Sequence, residues 1–212
     1  QAQKSQVIAH RGYWKTAGSA QNSITSLQKA DSIHCYGSEF DVWLAKDNKL
    51  VVNHDPVYKM KYMEYSKGDA LTGLKLSNGE NLPSLQKYLE AGKKCNTKLI
   101  LELKAHNSKK RETKAVQEIL AMVKKMGLED RMEYITFSLH AMKEFIRLAP
   151  AGTPVFYLNG ELSPKELKDL GAAGLDYHMG VIKKHPEWIK EAHDLGLKVN
   201  VWTVDKAEDM KW

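Results

Sequence analysis

Cysteine, arginine and long apolar runs are all scarce in this chain, and each scarcity excludes something. Cys35 and Cys95 are the only cysteines in 212 residues, too few for a disulfide scaffold and at a spacing that matches no zinc pattern. Whether the two form a single bridge stays open on sequence grounds. No apolar run approaches the ~20 residues of a membrane-spanning helix. Arginine occurs only at 11, 111, 131 and 147, so the net charge of +6 is carried by lysines. Lys109, Lys110, Lys114, Lys124 and Lys125 recur at helical spacing, the pattern of a solvated helix face rather than a nucleic-acid surface. The charge supports no more than a mild attraction for anionic substrates. No G-x-G-x-x-G or Walker sequence is present, so nucleotide binding has no support.

What remains is the composition of a foldable chain, 42% hydrophobic and 27% charged, enough for a sizeable core and too apolar for disorder. Short apolar runs alternate with helical patterns along its length. Strands are expected at Ser5–Ala9, Ser38–Leu44, Lys98–Leu103, Tyr134–Phe137, Pro154–Leu158, Gly174–Tyr177 and Lys198–Val204. Amphipathic helices fall between them, at Ser23–Ile33, Ser84–Ala91, Lys109–Met126, Ala141–Leu148, Ser163–Leu170 and Pro186–Leu195, and another begins at Lys206. Lys49–Asn53 is a further short strand outside this alternation. The stretch from about Pro56 to Asn81 is polar, has weak periodicity and reads as a small insertion. Such regular strand–helix alternation predicts an α/β fold with a parallel sheet. Seven strands and an unfinished helix suggest a single TIM (β/α)8 barrel domain over 1–212, with the insertion at 56–81 and the last βα unit missing. A doubly wound open sheet is the alternative, but His10-Arg11-Gly12 offers only one of the glycines its first turn would want.

In a parallel barrel the chemistry sits at the carboxyl ends of the strands. Those ends carry His10 and Arg11, Glu39 and Asp41, His54, Glu102 and Lys104, and Trp202. Glu39 and Asp41 are two apart on one strand and leave the same face; Glu102 and Lys104 repeat the relation. Three carboxylates converging on one mouth repel each other unless a cation lies among them, and an oxygen-only set suits Mg²⁺, Ca²⁺ or Mn²⁺ better than zinc. His10 and His54 are the natural proton carriers, each at the mouth and each followed by a charged residue, Arg11 and Asp55. His34, His106, His140, His178, His185 and His193 have no such company and read as surface or packing residues.

These residues also carry a family resemblance. Val7-Ile8-Ala9-His10-Arg11-Gly12, Gln21-Asn22-Ser23, Glu39-Phe40-Asp41-Val42 and Leu50-Val51-Val52-Asn53-His54-Asp55 resemble the glycerophosphodiester phosphodiesterase family. Leu82-Pro83-Ser84-Leu85, Leu101-Glu102-Leu103-Lys104 and Val201-Trp202-Thr203-Val204 continue the order and spacing. The resemblance implies a TIM barrel with a small insertion after the second strand. It also implies metal-dependent hydrolysis of a small-molecule glycerophosphodiester to sn-glycerol 3-phosphate and an alcohol. On that pattern His10 and His54 form the acid–base pair, and Glu39, Asp41 and Glu102 hold one divalent cation, Mg²⁺ or Ca²⁺, with Mn²⁺ a third option. Arg11 contacts the phosphate, Lys104 completes the site and Trp202 walls the pocket near the glycerol. One departure stands out: Gln21 replaces the family's usual Glu, keeping a hydrogen-bonding amide but no charge. Two other readings stay open, a phospholipase-type lyase acting on lysolipids and a catalytically silent binder of phosphodiesters or phosphosugars.

Two expectations concern the ends of the chain. It starts Gln1-Ala2-Gln3 without Met, which we read as the trace of a removed signal peptide and an extracytoplasmic location, periplasmic or secreted; a removed tag and a cytoplasmic location are the alternative. The absence of an eighth strand after Met210 suggests that the true carboxyl terminus lies further on, because an open barrel would leave two sheet edges bare.

Overall fold

Residues 6–202 are described by the computed structural model of the protein. Ser5, the strand's far end at Thr203–Val204 and the helix expected from Lys206 lie outside the described residues. Strands β1 (Ile8–Ala9), β2 (Gly37–Leu44), β6 (Lys98–Leu103), β7 (Met132–Thr136), β8 (Val155–Tyr157), β9 (Gly174–His178) and β10 (Lys198–Trp202) are hydrogen-bonded in that order. Every neighbouring pair on this path is parallel. The short β3 (Leu50–Val52) pairs antiparallel with the end of β2, the appendage the sequence suggested. Consecutive strands lying side by side, each followed by a helix, is the order of a TIM barrel. The path is a curled sheet in which β1 and β10 each have one strand neighbour among the described residues.

Period-two alternation divides the strand side chains between two environments. Phe40, Val42, Leu99, Leu101, Leu103, Tyr134, Tyr157, Leu175 and Tyr177 face outward into the main core. There they meet Leu27 of α1 (Ile24–Ser32), Leu85 and Leu89 of α3 (Leu85–Lys93), and Val116 and Ile119 of α4 (Lys109–Lys125). Phe145 of α5 (Leu139–Leu148) stacks on Tyr134, with ring centroids 4.5 Å apart and planes at 16°. The alternate residues point into the lumen. Ile100, Ile135, Phe156 and Leu158 form an apolar floor there, beneath the polar residues described below.

Serine starts most of the helices. Ser23, Ser84, Ser108 and Ser138 each accept the backbone N–H three residues on, and Ser163 forms a full capping box with Glu166 at α6 (Pro164–Leu170). These side chains satisfy donors that a helix start leaves open. The insertion holds structure that its weak periodicity did not announce: a hairpin of β4 (Val57–Tyr58) and β5 (Lys61–Tyr62), and the short helix α2 (Gly68–Thr72). Met63, Leu71, Leu76 and Leu82 pack with Trp43 and Val51 in a second, smaller core. Two further helices follow β9, α7 (Met179–Lys184) and α8 (Glu187–Asp194). Cys35 and Cys95 are both buried free thiols, so no bridge joins them. Among the described residues no helix is long and apolar enough to cross a membrane.

Because Phe145 is fully buried against the sheet, Phe145→Ala removes a ring from a close-packed core. We expect it to lower unfolding free energy by about 3–5 kcal/mol, measured by urea denaturation. A change under about 1 kcal/mol would mean that this helix is not docked as described.

Candidate active site

The carboxyl ends of β1, β2 and β6, with the segment after β3, bring together every residue that the sequence placed at the mouth near its amino-terminal half. Glu39 and Asp41 project from β2 into the lumen, and the β2–β6 register sets Asp41 directly beside Glu102. The ligand oxygens of Glu39, Asp41 and Glu102 lie within 4.8 Å of one another, and all three residues are buried. Among the described residues, none donates a hydrogen bond to Glu39 Oε1 or Asp41 Oδ1. Lys104 Nζ lies 2.9 Å from Glu102 Oε2, which sets an ammonium against the cluster.

Burial and crowding dominate the electrostatics. Burial first, and then the charge of Glu102, push Glu39 up to about 7. Burial and the charge of Asp41 likewise push Glu102 up to about 7. Asp41 is raised well above the ordinary carboxylate range by burial and by Glu39. For Lys104 burial opposes the charge, but Glu102 and Asp41 outweigh it and raise the ammonium above its ordinary value. Closely spaced, buried, oxygen-only donors with unpartnered lone pairs fit a hard divalent cation.

Two residues in left-handed backbone tie the surrounding loop to this cluster. Arg11 has φ 57° and Asn22 φ 59°, conformations uncommon for side chains other than Gly, Asn and Asp. The turn at Arg11 aims its N–H at Glu39 Oε2, 2.9 Å away. Asn22 grips Asp41 twice: its Nδ2 donates to Asp41 Oδ2 at 3.0 Å, and its Oδ1 accepts the Asp41 N–H at 3.2 Å. Gly12, next along, has φ 75°, and a Cβ there would fall 2.2 Å from Ser26 Oγ.

The Arg11 guanidinium bridges Gln21 and His54. Nη1 donates to Gln21 Oε1 at 2.8 Å, and Nη2 lies 2.9 Å from His54 Nε2. Guanidinium has only donors, so Nε2 accepts here and the proton of the neutral ring sits on Nδ1, 2.6 Å from Asp55 Oδ1. His10 reaches the cluster as well, with Nδ1 3.9 Å from Glu39 Oε2. Trp202 closes β10 further along the sheet. Its Nε1–H donates to the Asp176 carbonyl at 2.9 Å, and its ring meets Phe137 edge-on with centroids 6.0 Å apart.

The structure therefore joins Arg11, Glu39 and His10, and Arg11 and His54, by direct contacts, and it links Lys104 to Trp202 through Phe137. Sequence reasoning missed the role of Asn22, which reaches across 19 residues to Asp41 with no local signal. Asp55, which the sequence marked only as the charged neighbour of His54, is its orienting partner. Asp176 was missed too. It is buried in the lumen and pushed up to about 7 by burial and the charges of Glu102 and Glu133; period-two alternation in β9 would have placed it there. His106, read as a packing residue, is held with Nδ1 2.6 Å from the Lys104 carbonyl while Nε2 accepts the Leu44 N–H at 2.9 Å.

The sequence profile described as the Glycerophosphoryl diester phosphodiesterase family matches residues 10–212. The chain belongs to that family. Among its relatives is the glycerophosphodiester phosphodiesterase of Caldanaerobacter subterraneus subsp. tengcongensis, 26% identical over 223 residues, spanning 98% of this chain and 89% of that one. A crystal structure of a glycerophosphodiester phosphodiesterase from Parabacteroides distasonis is 54% identical, with a TM-score of 0.95 over 97% of this chain and 87% of that one. A phosphodiesterase of Oleispira antarctica, solved with the product sn-glycerol-3-phosphate, shares the fold at 22% identity, with a TM-score of 0.81 over 97% of this chain and 87% of that one. As a member of this family the chain is an α/β protein of the TIM-barrel fold and a phosphodiester hydrolase.

The raised carboxylates make the stability of the cation-free protein depend on pH with an unusual sign. Unfolded glutamates release their protons at about pH 4–5, whereas folded Glu39 and Glu102 keep theirs to about 7. Between these limits the folded chain binds more protons than the unfolded one, so stability falls as pH rises. In chelator, the thermal midpoint should drop between about pH 5 and 7.5, and Glu102→Gln should flatten that drop. A midpoint that holds level or rises across the window in the unsubstituted protein would contradict the charge crowding described.

Proposed function

We propose that this mouth cleaves glycerophosphodiesters to sn-glycerol 3-phosphate and an alcohol, using His10 and His54 as the acid–base pair. The observation that carries the reading is the convergence of three buried carboxylates, two histidines and two cations at one end of one sheet.

Asp55 holds the Nδ1–H of His54, which leaves Nε2 as the nitrogen able to take a proton. Arg11 covers that nitrogen, and a phosphodiester oxygen is a stronger acceptor for guanidinium than a neutral imidazole. Substrate thus draws Arg11 onto its phosphate and bares the base in the same movement. Gln21, being neutral, orients Arg11 without cancelling its charge. His54 then takes the proton of the glycerol 2-hydroxyl, whose oxygen bonds to phosphorus as the bond to the departing alcohol breaks. His10 gives that alkoxide its proton. Water opens the cyclic phosphate with the two histidines in reversed roles.

Lys104 and Arg11 face the negative charge that develops on the non-bridging oxygens. Glu39, Asp41 and Glu102 would hold the divalent cation, Mg²⁺ or Ca²⁺ with Mn²⁺ as a third option, which when bound supplies further positive charge to those oxygens. A silent binder would have no need of the Asp55–His54 dyad, which places a proton acceptor at the mouth.

The test is release of sn-glycerol 3-phosphate from glycerophosphocholine and glycerophosphoethanolamine with Mg²⁺, Ca²⁺, Mn²⁺ or EDTA. We expect cation-dependent release, lowered by about 10²–10⁴-fold in kcat/KM by His54→Ala. Accumulation of a cyclic phosphate as final product would indicate a lyase. Folded, cation-loaded protein that binds the diesters without cleaving them would indicate the silent binder.

A further inference from the structure

The wall of the mouth includes a histidine that the proposed chemistry leaves unused. His178 is the last residue of β9. Leu175 and Tyr177 face the outer core, so alternation turns Asp176 and His178 toward the lumen. The β9–β10 register pairs His178 with Trp202, and the two rings stand edge to face, with centroids 4.8 Å apart and planes at 82°. Trp202 in turn touches Phe137, whose ring lies 6.0 Å from Lys104 Nζ. A continuous wall thus runs from the Lys104–Glu102 ion pair to an exposed imidazole at its far end.

The hydrogen bonding of that imidazole is asymmetric. His178 caps α7 by accepting the Gly180 N–H at Nδ1, 2.9 Å away. A backbone N–H can only donate, so the proton of the neutral ring lies on Nε2, and Nε2 has no hydrogen-bond partner among the described residues. The cap therefore fixes the tautomer and presents a neutral donor beside the aromatic face of Trp202. Phosphate oxygens are served by Arg11 and Lys104. A single uncharged donor flanking an aromatic ring suits an alcohol oxygen on a carbon chain lying against that ring.

We propose that His178 Nε2–H donates a hydrogen bond to a hydroxyl of the glycerol unit packed against Trp202, making His178 a residue that selects polyol phosphates over plain alkyl phosphates. This rests on the reading that the mouth binds a glycerol phosphate. His178→Asn separates the two functions of the ring, since Asn keeps a capping acceptor and loses the distal donor.

The experiment is isothermal titration of sn-glycerol 3-phosphate and of n-propyl phosphate, with Mg²⁺ present, into the unsubstituted protein and His178→Asn. The unsubstituted protein should prefer glycerol phosphate. The variant should weaken that ligand by roughly fivefold, the size of one neutral hydrogen bond, while propyl phosphate binding and the thermal midpoint hold steady. In turnover, KM for glycerophosphocholine should rise with kcat unchanged. Glycerol phosphate binding that ignores the substitution, or equal weakening of both ligands, would overturn the role of His178 alone. An unsubstituted protein that binds neither ligand would overturn the glycerol phosphate reading and this inference with it.

Discussion

Burying Glu39, Asp41 and Glu102 with their oxygens within 4.8 Å of one another is unfavourable, and the architecture of the mouth follows from that cost. At such separations a pair of like charges repels by about 4 kcal/mol in a medium of effective dielectric about 20. One lysine touches the cluster and offsets part of this. Glu39 and Glu102 therefore hold protons to about 7 in the absence of other positive charge. Asn22 and the Arg11 N–H give Asp41 and Glu39 one fixed geometry each. The left-handed backbone at Arg11 is the local strain that this positioning requires, while Asn22 adopts the same region at little cost.

The rest of the fold supplies rigidity where the cluster needs it. The strands carrying the carboxylates are packed against helices on their outer face and stand above an apolar lumen floor on the inner one. Neither β2 nor β6 can tilt away from its neighbours to relieve the repulsion. His106 adds a further clamp by joining the Lys104 carbonyl to the Leu44 N–H, which binds the ends of β6 and β2. The cluster is strained electrostatically yet held by packing, the combination that makes a site receptive to an external positive charge.

Much of this was legible in the sequence because it depends on short periods. Alternation placed Glu39 with Asp41 and Glu102 with Lys104, and strand–helix alternation gave the parallel sheet and the order of its strands. Contacts that cross the chain were not legible. Nothing near Asn22 indicates Asp41, and nothing near His54 indicates that Arg11 will lie on its Nε2. The hairpin of the insertion was hidden for a different reason: its two turn residues, Lys59 and Met60, both have positive φ without the Asn or Gly that normally signals such a turn. His178 was set aside because a lone histidine reads as surface, and only its register with Trp202 gives it a setting.

The dependence of the site on an external positive charge is tested most directly by calorimetric titration of Mg²⁺ or Mn²⁺ into cation-free protein at pH 7, in buffers of different ionisation enthalpy. We expect one cation to bind per chain with release of protons from the carboxylate cluster, and Glu102→Gln to reduce both the affinity and the protons released. Binding without proton release, or no binding to the folded protein, would show that Glu39, Asp41 and Glu102 do not form a crowded cation site.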